Sequence, residues 1–422
     1  MLNTFADFIT KHLKTDGHYL VKGGLWLSLG RGFTLLSGLV LTIAMANLLS
    51  KEAYGTYQFI IAVSAIAGTF TLSKMDKVIV RAVARGKESA LRSGFNTQLH
   101  WSIGIIIVSS VVSLYYWTQD DKLLAYTFMT IGLLSPLLVG FQLANSYLIG
   151  KQLFKESALL GFWRKPIPVI ALLVTLAFTY NPLVLAIVYF ASNTLMSGLV
   201  YLLVVKKYKL PRLPEVNLVN LSKHLSFIAI VRIIGNNLDK LLVFYFLGPV
   251  SVAAYTLAHM PIKMVEGLYS SLYQMSLPKI SQRGFEELQK LLPPKVKIAF
   301  LVTLGIVVLY IATIPFFFRL AFPTYPEAIL YSQALALLLL SKPRGFYLMA
   351  FLAHGMKRRI YLSNLSLPIL TIILLLFLLP LYGIWGAIFA LLIAHLCVNV
   401  ILFFTFRYAK TPLQQNLVQK NI

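Results

Sequence analysis

Twelve apolar stretches of about 20 residues or more run through this 422-residue chain, at 20–49, 54–73, 96–118, 122–149, 157–179, 183–205, 221–247, 249–277, 296–320, 325–355, 361–380 and 383–408. A helix needs about that length to cross roughly 30 Å of hydrocarbon. A spanning barrel would show short alternating segments instead, and runs such as Ile103–Val112 and Leu370–Leu379 do not alternate. The pattern predicts an all-α polytopic membrane protein with twelve transmembrane helices. Composition agrees, because only 12% of residues are charged, about half the share in a soluble domain. The first twenty residues hold Asp7, Lys11, Lys14 and Asp16 and no continuous apolar core, so insertion is expected to use internal segments rather than a cleavable signal peptide. Cys397, the single cysteine, lies in an apolar stretch, which excludes an intramolecular disulfide and a cysteine-based metal site.

The remaining charges are lopsided: 38 Lys and Arg against 14 Asp and Glu, a net of +24. Such an excess suits nucleic acid, membrane topology or an anionic cargo, and position separates the three. With the amino terminus placed in the cytoplasm, 29 of the 38 cations fall in inside segments and three, Lys51, Lys122 and Arg319, in outside hairpins. That asymmetry satisfies the positive-inside rule with both termini cytoplasmic, and nucleic-acid binding loses its main support. Segments 74–92 and 279–297 also suit contact with anionic headgroups.

The longest polar link, Lys206–Lys223, follows the sixth stretch, and Pro211 and Pro214 discourage a helix through it. The expected organisation is a cytoplasmic segment 1–19, an amino-terminal lobe 20–205, a linker 206–220, a carboxy-terminal lobe 221–408 and a cytoplasmic tail 409–422. Six helices is an even number, so the two lobes enter from the same side and any repeat is parallel. A weak echo exists at an offset of 198 residues, where Leu48-Leu49-Ser50, Gly55 and Tyr57 align with Phe246-Leu247-Gly248, Ala253 and Tyr255.

Removing the 29 and three leaves six cations inside predicted spans, Arg31, Arg232, Lys240, Lys263, Lys342 and Arg344, with two acids, Asp239 and Glu266. At roughly 2.5–3.5 kcal/mol for each charge at the bilayer centre, eight lipid-facing charges would cost on the order of 20 kcal/mol, beyond a typical stability of about 5–15 kcal/mol. They are therefore expected to face a wet cavity or one another. Arg232, Asn236 and Asp239/Lys240 recur at helical spacing, as do Tyr255, His259, Lys263 and Glu266, so each set predicts a polar stripe. Ser341-Lys342-Pro343-Arg344-Gly345 predicts a kinked tenth helix with free backbone groups. Structural roles compete with functional ones: snorkelling for Arg31, an ion pair between Asp239 and Arg232, mutual neutralisation of Lys263 and Glu266, and an ordinary hydrogen-bonded interior for His259. Lys342 and Arg344, with no acid nearby in sequence, point most directly to function.

No Gly-x-x-x-x-Gly-Lys-Ser/Thr phosphate loop and no Gly-x-Ser-x-Gly nucleophile motif occurs. Apart from the weak His259/Glu266 pair, the histidines are not at metal-ligand spacing with one another or with a carboxylate. No catalytic residue, metal ligand or cofactor is expected, and transport remains, with coupling to Na+, H+ or the membrane potential left open.

Trp26 and Arg31, followed by Leu48-Leu49-Ser50-Lys51-Glu52-Ala53-Tyr54-Gly55-Thr56-Tyr57, resemble the opening of the polysaccharide-type, Wzx-like flippases of the MOP exporter superfamily. Asn237-Leu238-Asp239-Lys240-Leu241-Leu242, Phe246-Leu247-Gly248-Pro249 and Ala254-Tyr255 resemble the start of their second lobe. The resemblance implies two six-helix lobes around a central cavity that opens alternately to either side. It further implies a bacterial inner-membrane protein that flips an undecaprenyl-pyrophosphate-linked oligosaccharide, an O-antigen or capsule-type unit, beside other polysaccharide-assembly membrane proteins. Lipid II flippases usually have fourteen helices, and twelve argues against that branch. The residues agree independently, since pyrophosphate is a natural partner of Arg and Lys. Arg31, Arg232, Lys263, Lys342 and Arg344 are the expected cargo-binding residues, and Asp239, Lys240, His259 and Glu266 the expected ion-coupling or charge-positioning ones. A MATE-type multidrug or organic-cation antiporter is the competing reading; it calls for unpaired acids, whereas cations here outnumber acids six to two. A membrane-embedded glycosyltransferase or polymerase would need a large outside loop or surface acids, and neither is visible.

Overall fold

A computed structural model describes residues Gly17–Leu210, Ser222, Lys223, Ser226, Ile230 and Ile233–Ala409, and among them there is no strand. The twelve apolar stretches are helical over most of their described lengths, as the sequence predicts. Eight continuous helical spans are long and apolar enough to cross a membrane. Two of these, Ile233–Leu277 and Arg358–Arg407, each contain two of the expected helices. The joints are Gly248, at φ 79° and ψ 178°, and Gly383, at φ 58° and ψ −139°. These are conformations that a side chain resists and glycine accepts.

The described residues fall into two compact units, those within 17–53 and 60–233, and those within 54–59 and 234–409. The first unit draws on α1 (Gly17–Leu48), α2 (Lys51–Ala67), α3 (Met75–Ala84), α4 (Ala90–Trp101), α5 (Ile103–Thr118), α6 (Lys122–Gly150), α7 (Phe154–Arg164), α8 (Pro166–Phe178) and α9 (Pro182–Lys207). Helix starts carry their expected caps: Ser50 accepts from the Ala53 N–H at 3.2 Å, Asp121 from Leu124 at 3.0 Å, and Asn181 from Leu183 at 2.9 Å ahead of Pro182. Tyr147 and Leu148 of α6 pack with Met75 and Ile79 of α3, Leu91 of α4 and Val204 of α9 in one apolar cluster. At the end of α9, Lys207 meets Glu156 of α7 at 2.9 Å, and the Tyr208 hydroxyl donates to the same carboxylate. Burial, followed by the Glu156 carboxylate, pushes the Tyr208 phenol above its ordinary pKa.

In the second unit, α10 (Leu238–Ser281) is followed by α11 (Phe285–Ala321), α12 (Glu327–Ala336), a 3-10 segment (Leu337–Arg344), α13 (Gly345–Ala353) and α14 (Lys357–Arg407). Helix α11 shows how a membrane helix divides its faces. Thr303, Val307, Tyr310, Ile314 and Phe318 recur every three or four residues and are buried, whereas Leu301, Val302, Val308, Leu309, Phe316 and Leu320 are exposed and apolar. Such an outer face suits lipid rather than water. The two polar members of the inner stripe are paired, Tyr310 with Ser332 at 2.7 Å and Thr303 with Tyr269 at 2.6 Å. A second apolar cluster joins Ile280, Phe285 and Leu288 to Tyr347, Phe351 and Phe406, with the Tyr347 and Phe406 rings stacked at 4.5 Å. The family-like stretch Tyr54–Phe59 also packs in this unit, with Phe59 stacked on Phe244 at 3.8 Å and Tyr54 edge-on to Tyr325 at 6.4 Å.

Candidate functional site

Eight residues singled out above for their charge or polarity lie on described parts of the second unit: Asp239, Lys240, Tyr255, His259, Lys263, Glu266, Lys342 and Arg344. Arg232 lies outside the described residues, and Arg31 sits on α1 with its side chain outside them.

The first expected stripe is not one continuous helix. The chain turns at Asn236-Asn237 and α10 begins at Leu238, which puts Asp239 in a first turn. Asp239 is buried there, and it accepts the Lys240 N–H at 2.9 Å and the Tyr255 hydroxyl at 2.9 Å. A carboxylate favours that position because it meets unpaired N–H groups and the positive end of the helix dipole. Lys240 is buried beside it.

The second stripe forms as the spacing predicts, along the part of α10 that follows Gly248. It runs from buried Tyr255, through half-buried His259, to exposed Lys263 and half-buried Glu266. The Tyr255 and His259 rings meet edge-on at 4.5 Å. His259 feels the positive charges of Lys263, Lys240 and Lys342, so three lysines converge on this part of the unit. Its Nε2 has no hydrogen-bond partner among the described residues.

Two local pairings differ from the sequence reading. Glu266 does not neutralise Lys263 three residues away; its carboxylate meets the Lys342 ammonium at 2.7 Å. Lys342 consequently does have an acid, supplied by another helix rather than by its own neighbourhood in sequence. The interruption at Ser341–Gly345 is larger than a kink, with Leu337–Arg344 forming eight residues of 3-10 helix. Pro343 has no N–H to give to an α-helical bond, and 3-10 runs of this length are uncommon and mark hinges or strained segments. The Lys342 carbonyl accepts the Tyr273 hydroxyl and the Gly345 N–H. Arg344 donates to the His395 carbonyl at 3.1 Å.

Tyr273 and His395 were not singled out by the sequence. Tyr269 and Tyr273 extend the α10 stripe beyond Glu266 at the same three- and four-residue steps, a signal that tyrosine's ordinary place in membrane helices conceals. Arg344 reaches the His395 backbone carbonyl, a contact no side-chain pattern announces. Together the described residues of this site bring four cations, Lys240, Lys263, Lys342 and Arg344, against two acids, both engaged. An arrangement of this kind can hold a compact anion, while Glu266 is ion-paired with Lys342 and Asp239 is hydrogen-bonded by the Tyr255 hydroxyl and the Lys240 backbone N–H.

A profile of the polysaccharide biosynthesis protein family matches residues 20–283. The chain belongs to that family. Solved structures give the polysaccharide biosynthesis protein its fold class. An inward closed lipid II flippase MurJ aligns over 93% of this chain and 89% of its own, at 17% identity and TM-score 0.69. An outward-facing multidrug resistance MATE transporter of the MOP superfamily covers 96% and 97%, at 15% identity and TM-score 0.59. A MOP superfamily transporter from Pyrococcus furiosus, whose binding pocket is described as reversed in polarity, covers 92% and 95%, at 16% identity and TM-score 0.57. At these identities the likeness is one of fold, and the chain is a multi-pass membrane protein that shares the fold of these transporters. No curated protein matches it significantly in sequence.

Proposed function

We propose that the protein is a flippase that carries an undecaprenyl-pyrophosphate-linked oligosaccharide, an O-antigen or capsule-type unit, from the cytoplasmic to the outer leaflet of a bacterial inner membrane. The observation that carries this reading is the surplus of cations in the second unit: Lys240, Lys263, Lys342 and Arg344 against Asp239 and Glu266. A pyrophosphate is densely anionic and crosses hydrocarbon only when a protein supplies compensating charge. Arg344 is suited to bidentate contact and the lysines to point-charge contact. Arg31 and Arg232 complete the cargo-binding set. Membership of a polysaccharide biosynthesis family supports the class of cargo.

The orientation follows from the distribution of 29 cations against three, with both termini cytoplasmic. Transport proceeds by alternating access. Asp239, Lys240, His259 and Glu266 set the charge of the site or couple it to Na+, H+ or the membrane potential, and neighbouring polysaccharide-assembly proteins are the natural partners. A multidrug antiporter draws no support from the acids, because Asp239 is held by Tyr255 and Lys240, and Glu266 by Lys342.

The test is replacement of Lys342 and Arg344 by alanine in the native host. Surface polysaccharide is expected to disappear while the protein stays in the membrane and the lipid-linked intermediate accumulates. Normal surface polysaccharide in that strain would end the assignment.

A further inference from the structure

Arg164 and Lys165 fall within the apolar stretch 157–179, yet the charge count groups them with the cytoplasmic segment 151–165. The fold puts both within a helical span. Helices α7 and α8 are joined at Lys165 into one candidate membrane span, Phe154–Phe178. Arg164 is ten residues from its start and fourteen from its end, about 15 and 21 Å at 1.5 Å per residue.

Two contacts fix that depth independently. Near the polar edge, Glu156 of α7 pairs with Lys207 of α9 at 2.9 Å. Farther along the same two helices, Arg164 donates to Ser197 at 3.4 Å. Arg164 is eight residues beyond Glu156 and Ser197 ten before Lys207, so by the helical rise this level is about 12–15 Å deeper than the ion pair. The side-chain stem of an arginine or lysine does not reach back over such a distance.

Both cations are half-buried, and neither pairs with an acid among the described residues; Glu156, the acid nearest in sequence, is committed to Lys207 and Tyr208. Of the exposed apolar residues of this span, Leu159, Trp163, Ile167, Ile170 and Val174 share one face. At 100° per residue Arg164 and Lys165 lie on the other side, flanking buried Pro168. Pro166 also withholds an N–H from the carbonyl of Phe162, leaving an acceptor that requires protein or water beside it. At the same level, Phe162 stacks on Phe33 at 4.1 Å, and Arg31 stands two residues from Phe33 on α1.

We propose that Arg164 and Lys165 form a second phosphate-binding element, in the first unit and at mid-membrane depth, that takes the pyrophosphate of the translocated lipid. This rests on the flippase reading above and extends it. The cations bind the two phosphoryl groups by charge-assisted hydrogen bonds. Ser197 holds the guanidinium in place when no cargo is bound.

The test uses geranylgeranyl pyrophosphate as the probe, titrated into purified protein in detergent, with geranylgeraniol as the uncharged control. Replacing Arg164 and Lys165 by alanine is expected to weaken pyrophosphate binding about tenfold or more and to leave geranylgeraniol binding unchanged. The Arg164→Lys, Lys165→Arg exchange is expected to bind the pyrophosphate more tightly than the alanine pair, since both charges are kept although the guanidinium fork is moved. Wild-type affinity in the alanine pair, with Lys342→Ala/Arg344→Ala impaired, overturns this inference and leaves the flippase reading intact. Absence of pyrophosphate binding by the wild type overturns both. Should the alanine pair not fold, Lys165→Cys in a Cys397→Ser background is treated with a negatively charged methanethiosulfonate. Labelling faster than at Ile170→Cys, and protected by the probe, is expected; no labelling, or labelling without protection, defeats the proposal.

Discussion

Glu266 and Lys342 meet at 2.7 Å across two helices, each with roughly a quarter to a third of its side chain exposed. The pair neutralises one member of the Lys342/Arg344 couplet that sequence alone leaves without a counterion. Its partial exposure places it between a surface pair and a buried one. A double-mutant cycle with Glu266→Gln and Lys342→Met should give a coupling of about 1–2 kcal/mol, read from detergent-denaturant unfolding. Additive effects of the two changes would show that the pair contributes nothing.

Gly55 and Pro249 touch backbone to backbone within the second unit, and a Cβ on Gly55 would overlap the Pro249 carbonyl. Gly55→Ala should therefore sharply lower the yield of folded protein on size-exclusion chromatography. Gly305→Ala, at a helical position with open space around it, should leave the yield unchanged or raise it. Equal yields from the two variants would mean that the approach at Gly55 is not needed.

Tyr255 is fully buried and its hydroxyl serves the Asp239 carboxylate. Tyr255→Phe removes a hydrogen bond to a charged group, a loss of about 1.5–3 kcal/mol. Adding Asp239→Asn should cost less than it does in wild type, because its partner is already gone. Thermal unfolding of the four proteins measures this directly.

Pro343 keeps the middle of the tenth span out of α-helical geometry. Pro343→Ala should raise the melting temperature, as an α-helical bond becomes available, and should lower surface polysaccharide in vivo by misplacing Lys342 and Arg344. A variant with unchanged transport would separate the 3-10 segment from function.

Apolar stretches long enough to span hydrocarbon were legible because the bilayer imposes a length that needs no tertiary information. The α10 stripe from Tyr255 to Glu266 was legible for a related reason: its residues share one uninterrupted helix. Legibility stopped where an interaction joins different helices. Nothing near Lys342 in sequence names Glu266 as its acid, and nothing near Tyr273 names the Lys342 carbonyl. Arg164 and Lys165 lie inside the apolar stretch 157–179, but their charge and the Pro166 that follows group them with the cytoplasmic cations of 151–165. Only the contacts of α7 with α9 reveal their depth.

The 3-10 segment Leu337–Arg344 has a mechanical consequence. Each residue advances about 2.0 Å in this geometry and 1.5 Å in an α-helix, and turns about 120° rather than 100°. Eight residues rewound as α-helix would shorten by about 4 Å and swing their far end through roughly 160°. Lys342 and Arg344 stand at that far end, so a change of winding alone would act as a screw that retracts and re-aims two positive charges while the helices on either side keep their lengths.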